Sequence, residues 1–180
     1  HIGGLNAFLC LNHHAKIIVG NGFFRPKFHH EKEIGFRKDS VIPRERLIEA
    51  NGLMDLGNDI FVMSDIPIYA ESDRHIEGFW VQEGSSLWQD QFHDELYLVV
   101  KKKDGAVVLS GCSHNGIRNI LQCVQDSMGV EAHIVVGGLH ISHASEAHVL
   151  ELIEYFKKSN ISNIYTSHCT GLDKYQFMKN

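Results

Sequence analysis

The sequence predicts an α/β fold, and three observations carry that prediction. Short strand-like runs end abruptly in small residues at Val107–Leu109, Ile134–Val136 and Ile164–Thr166. Between them lie two stretches whose apolar residues fall at helical spacing: Ile117, Ile120, Leu121 and Val124, then Val149, Leu152, Ile153 and Phe156. The composition, 43% apolar and 22% charged over 180 residues, is that of a globular chain with a core, and the length suits one domain over residues 1–180.

The elements follow in order. Gly3-Gly4 turns the chain into a short, mostly apolar helix from Leu5 to Leu11. Lys16–Val19 reads as a strand ended by Asn21-Gly22. Residues 22–44 mix Phe23, Phe24 and Phe28 with bases and read as an extended insertion, with room for a hairpin. Arg44–Ala50 reads as a short helix closed by Asn51-Gly52, and Asp59–Met63 as a strand before the turn Ser64-Asp65-Ile66-Pro67. Residues 71–94 are polar and irregular, anchored by Phe79, Trp80 and Trp88. Glu95–Lys101 alternates around Leu96, Leu98 and Val100, and Lys103-Asp104-Gly105 folds it back on Ala106–Leu109 as a hairpin. Asn115–Ser127 is a helix closed by Gly129, and His133–Val136 is a strand. Ala144–Ser159 is a second helix, with Lys157 and Lys158 in its last turn, where cations suit the helix dipole. Ile161–Thr166 is the next strand, and Leu172–Met178 closes the chain as a helix.

Several function classes are excluded at this level. A net charge of −5 offers no basic footprint for a nucleic-acid backbone, so no nucleic-acid partner is expected. No apolar run approaches the roughly 20 residues that cross a bilayer. The four cysteines, Cys10, Cys112, Cys123 and Cys169, show no C-x-x-C spacing, which points to a reducing, cytoplasmic setting rather than a disulfide framework. A small-molecule substrate is the expected partner, with a homo-oligomer as an open alternative.

The 13 histidines matter because three share one local grammar. Val107–Leu109 leads into Ser110-Gly111-Cys112-Ser113-His114. Ile134–Val136 leads into Gly137-Gly138-Leu139-His140, and Ile164–Thr166 into Ser167-His168-Cys169-Thr170-Gly171. α/β sheets bind their ligands at the carboxyl ends of strands. Three imidazoles delivered there suit a transition metal, with His1 as a fourth, and the small neighbours let backbone and substrate approach. A site made of Cys112, His114, His168 and Cys169 is the weaker alternative, because neighbouring strand residues point to opposite faces. The two cysteines read instead as small hydrophobes beneath the site. His143 and His148 read as helical and turned away from the apolar stripe.

These motifs resemble the metallo-β-lactamase superfamily. His1-Ile2-Gly3-Gly4 resembles the end of its H-x-H-x-D-H-x-G-G motif, Ser110–His114 its next ligand motif, and Ser167–Gly171 its last. Gly-Cys-Ser-His-Asn-Gly, Gly-Gly-Leu-His and His-Cys-Thr-Gly further resemble the branch of dihydropterin-aminobenzene-phosphate synthase-like proteins. The resemblance implies an αββα sandwich, of which this chain would cover the C-terminal two-thirds without the N-terminal strands. It implies two divalent transition-metal ions, zinc foremost with iron or manganese as alternatives, and the metal ligands His1, His114 and His168. His140 stands where many members place a bridging aspartate, and is assigned as a catalytic residue, either proton carrier or ligand.

The implied activity is hydrolysis, a metal-bound hydroxide attacking a phosphoester or carbonyl centre of a small anionic substrate. Arg25, Lys27, His29 and Trp80 are the candidate substrate contacts. The rival reading is a non-catalytic metal-binding or regulatory module.

Overall fold

The computed structural model describes residues 2–36 and 41–179, with the side chain of His168 outside that description. In chain order the elements are α1 (Leu5–Leu11), β1 (Ile17–Val19), β2 (Lys27–His29), β3 (Lys32–Glu33), β4 (Leu47–Glu49), β5 (Leu53–Asp55) and β6 (Ile60–Met63). There follow β7 (Phe79–Glu83), β8 (Ser86–Gln89), β9 (Tyr97–Lys102), β10 (Gly105–Ser110), α2 (Ile117–Met128), β11 (Ala132–Gly137), α3 (Glu146–Lys158), β12 (Asn163–Thr166) and α4 (Leu172–Lys179).

A six-stranded mixed sheet, ordered β12-β11-β10-β9-β6-β5, holds the core. β9 and β10 form the expected hairpin, Tyr97 opposite Ser110 and Lys102 opposite Gly105. β10, β11 and β12 run parallel, and parallel neighbours need crossovers, which α2 and α3 supply. Alternate residues Val99, Val108 and Val135 meet Ile117, Ile120 and Val124 of α2 and Val149 and Leu152 of α3, all buried. Each such side chain contributes roughly 1.5–3 kcal/mol through burial. Gly129 closes α2 in the left-handed conformation, and the Ser145 hydroxyl accepts from the His148 amide at the start of α3.

Parallel strands joined by helices put all their carboxyl ends on one edge. The loops after β10, β11 and β12, carrying His114, His140 and His168, therefore share a rim.

The first half is built differently. β3-β2-β7-β8 form an antiparallel sheet and β1 pairs with β4. Arg44–Ala50 is not a helix. Only Arg44–Arg46 turn, in a 3-10 turn after Pro43, and Leu47–Glu49 pair in parallel with Ile17–Val19. Ladder hydrogen bonds and the Arg46 Nε donation to the Ala15 carbonyl outweigh a weak helix preference. Residues 71–94 are not irregular throughout, since β7 and β8 form a hairpin around Gly84. Its strands escape the period-two test because β8 is exposed on both faces.

Candidate metal centre

The loop after β10 is tightly turned. Ser113 is fully buried at φ +61°, and its hydroxyl donates to the Gly138 carbonyl at 2.7 Å. The Gly138 amide donates back to the Gly111 carbonyl at 2.9 Å. Gly138 has to be glycine, because a Cβ there would lie 1.9 Å from the Cys169 sulfur. The Ser142 amide donates to the Cys169 carbonyl, which ties the loops after β11 and β12 together. His140 is itself at φ +51°. Left-handed conformations at Ser113 and His140 are strained for residues with a Cβ, and such strain concentrates at functional sites.

His114 is held on three sides. Its Nδ1 donates to Glu95 Oε1 at 2.9 Å, and its amide donates to the same oxygen at 3.0 Å. An ionised carboxylate only accepts, so Nδ1 carries a proton toward it, and in the neutral ring Nε2 is the nitrogen that keeps a lone pair. Burial pushes the Glu95 carboxyl up, but bonds from the His114 ring, the Tyr97 hydroxyl and the His114 amide outweigh it and bring it below its usual value. Phe92 lies flat on the other ring face, 3.9 Å away at 8°. The His140 ring is 4.3 Å from that of His114.

The loop that delivers Phe92 and Glu95 is anchored by Lys27. Its ammonium sits 2.6 Å from both Asp90 and Asp94, nearly buried, and 5.5 Å from the Phe92 ring centre. Asp90 also accepts the Phe92 amide at 2.8 Å.

His75 and His148 extend the cluster. Their rings are 5.3 Å apart, and His75 is 6.2 Å from His140. Burial, then His148, lowers the His75 pKa to about 4. His148 does not face solvent. It lies on α3 with Nε2 3.5 Å from the buried Asp73 carboxylate, because that acid sits under the start of α2 and accepts the Arg118 amide at 2.7 Å. His143 precedes the helix, in an exposed turn.

Of the residues that the sequence nominates, the structure brings His114 and His140 together. His29 reaches the cluster edge through its stack on Phe79, whose ring is 5.2 Å from His114. Lys27 reaches it through the loop, its charge committed to two acids. Arg25 is exposed and paired with Glu83. Trp80 follows Phe79 in β7, so strand alternation turns it to the opposite face from His114. His1 and the His168 side chain lie outside the described residues.

A transition metal fits what is present. His114 has the outer carboxylate partner that metal-binding imidazoles commonly carry. His140 Nδ1 is buried without a hydrogen-bond partner. Donor atoms of Cys112, His140 and Cys169 lie within 4.8 Å of one another. A hydrogen bond from Cys112 holds the Cys169 thiol well below its ordinary range against the pull of burial. Sequence alone does not mark Glu95, Phe92, His75 or His148 as site residues. Only Glu95 carries a usable signal, as an acid just before a strand whose partner strand leads into the loop that carries His114.

No family model matches the chain. It is 30% identical over 95 residues to 7,8-dihydropterin-6-methyl-4-(beta-D-ribofuranosyl)-aminobenzene-5'-phosphate synthase of Methanocaldococcus jannaschii, covering 52% of this chain and 32% of that protein. It is 24% identical over 159 residues to an uncharacterised protein of the same organism, covering 87% and 59%. The crystal structure of Tm1679, a metal-dependent hydrolase of the β-lactamase superfamily, superposes with a TM-score of 0.81 at 24% identity, over 91% of this chain and 64% of that one. The chain thus spans less than two thirds of each of these proteins. The superposition shows the fold, the αββα sandwich of the metallo-β-lactamases, as the sequence resemblance implied.

Proposed function

We propose, from a metallo-β-lactamase fold with a carboxylate-backed histidine on its strand-end rim, that this chain carries the core of a metal-dependent hydrolase for a small anionic phosphoester or carbonyl substrate. The His114–Glu95 pair, with His140 beside it, is the observation that carries the reading. His114 offers Nε2 as a ligand, and the resemblance adds His1 and His168. A divalent ion held there supplies Lewis-acid polarisation of a phosphoryl or carbonyl oxygen and acidifies water. Glu95 fixes the His114 tautomer, and Phe92 fixes its ring plane. His140 serves as a further ligand or as the proton carrier. Arg25 and Lys27 are already paired, so the substrate anion is met chiefly by the histidine rim. His29, stacked on Phe79 and with its pKa lowered by partial burial and by His30, offers a flat ring and a hydrogen bond.

The test is turnover of model phosphodiesters and lactones by the zinc- or manganese-loaded protein. Wild-type turnover with His114→Ala reduced more than 100-fold is the expected result. Equal turnover in the two overturns the reading.

A second reading has one observation behind it, the synthase among its relatives. The same rim would then serve group transfer on a phosphate-bearing pterin compound. Isotopically labelled water separates the two, since only hydrolysis places solvent oxygen in the product. No helix among the described residues is long and apolar enough to cross a membrane.

A further inference from the structure

We infer that Cys112, His140 and Cys169 form a soft-metal site that takes zinc or another thiophilic ion, with His140 as a ligand here rather than the proton carrier of the hydrolase reading. One donor atom from each lies within 4.8 Å of the others, and no other such trio occurs among the described residues. The three come from the loops after β10, β11 and β12, so consecutive parallel strands fix their spacing.

Independent observations point to a ligand there. Both sulfurs are buried, Cys112 at 5% and Cys169 at 9% exposure, and both cysteines are free. His140 Nδ1 is buried with no hydrogen-bond partner, which an apolar packing role leaves unexplained. Gly138 yields the space in which the Cys169 sulfur sits, since any side chain there would collide with it. The backbone around the trio is stitched by the Gly138 and Ser142 amides, so the donors are held rather than assembled on demand.

The donor set decides the ligand class. Two sulfurs and an imidazole favour zinc over magnesium, calcium or manganese. Three protein ligands leave a fourth position open. Both sulfurs bind as thiolates, and any proton they still carry goes to solvent. His140 is common to this site and to the hydrolase reading, but the two are tested separately, because an ion bound here registers in a protein with no turnover at all.

The experiment is cobalt(II) titration of the reduced full chain, followed by zinc displacement. The expected result is a thiolate-to-cobalt charge-transfer band in the near ultraviolet that saturates at one equivalent and is abolished by Cys112→Ser and by Cys169→Ser. A second measurement needs no variant: alkylation of Cys112 and Cys169, read by peptide mass spectrometry, is expected to slow at least tenfold with zinc relative to chelator. Cobalt binding without the band, equal alkylation with and without zinc, or recovery of the two cysteines as a disulfide from anaerobically prepared protein overturns the inference. A band without turnover supports the soft site and counts against the hydrolase reading. Turnover without a band does the reverse.

Discussion

On one side of His114 the rim is held by apolar packing, and on the other by buried charge. β10, β11 and β12 owe their places to Val108, Val135, Leu152 and the helix stripes above them. The loop from Asp90 to Glu95, which brings Phe92 and the carboxylate to the same imidazole, is held by one ammonium between two acids. Apolar packing is redundant and tolerates small losses. A buried ion cluster is not redundant, since removing one partner strands the others. The two sides should therefore fail differently.

Lys27→Met gives the largest expected effect. It leaves Asp90 and Asp94 facing each other nearly buried, at a cost of about 4 kcal/mol. Denaturant unfolding measures the loss, and a cost under about 1 kcal/mol would show that the cluster is not what holds the loop. Leu152→Ala, fully buried on the other side, is expected to cost roughly 3 kcal/mol through lost transfer energy and a cavity. It should leave the Phe92–His114 stack intact, as chemical shifts of the two rings can report.

Next in size is a pH effect. Burial lowers the His75 pKa from 6.5 to about 4. The unfolded chain takes up a proton at the higher value, so this stabilisation is complete above about pH 6.5 and is lost as pH falls toward 4. After allowance for screening at its open edge, the loss is on the order of 1–2 kcal/mol. Unfolding curves at pH 7 and pH 4.5 in wild type and His75→Phe check it, the variant losing less. The smallest effect is expected at Trp88→Ser. Its ring, 61% exposed on the edge strand β8, should change stability by less than about 0.5 kcal/mol.

The same contrast explains what could be read from the residues. The stripes Ile117–Val124 and Val149–Phe156 declare α2 and α3 because helix burial writes a period into sequence. The strand ends after β10 and β11 declare His114 and His140 for the same reason. Nothing local marks Lys27 as the partner of Asp90 and Asp94, more than 60 residues away, and it reads as a substrate contact. Asp73 beneath α2 is equally silent, so His148 passes for a surface residue. The Cys112–Cys169 proximity arises only when β10, β11 and β12 align in parallel. Arg44–Ala50 shows the converse, a helical local pattern drawn into a ladder with β1.

The most direct test of the central claim, that Glu95 sets His114 as a metal ligand, is manganese(II) affinity by electron paramagnetic resonance in wild type and Glu95→Gln. Manganese is chosen because thiolates do not favour it, so the histidine centre alone reports. The expected result is binding 10- to 100-fold weaker (roughly the usual effect of losing an outer-shell partner) in a variant with an unchanged circular dichroism spectrum. Equal affinity in the two proteins, or manganese bound by neither, would contradict the account.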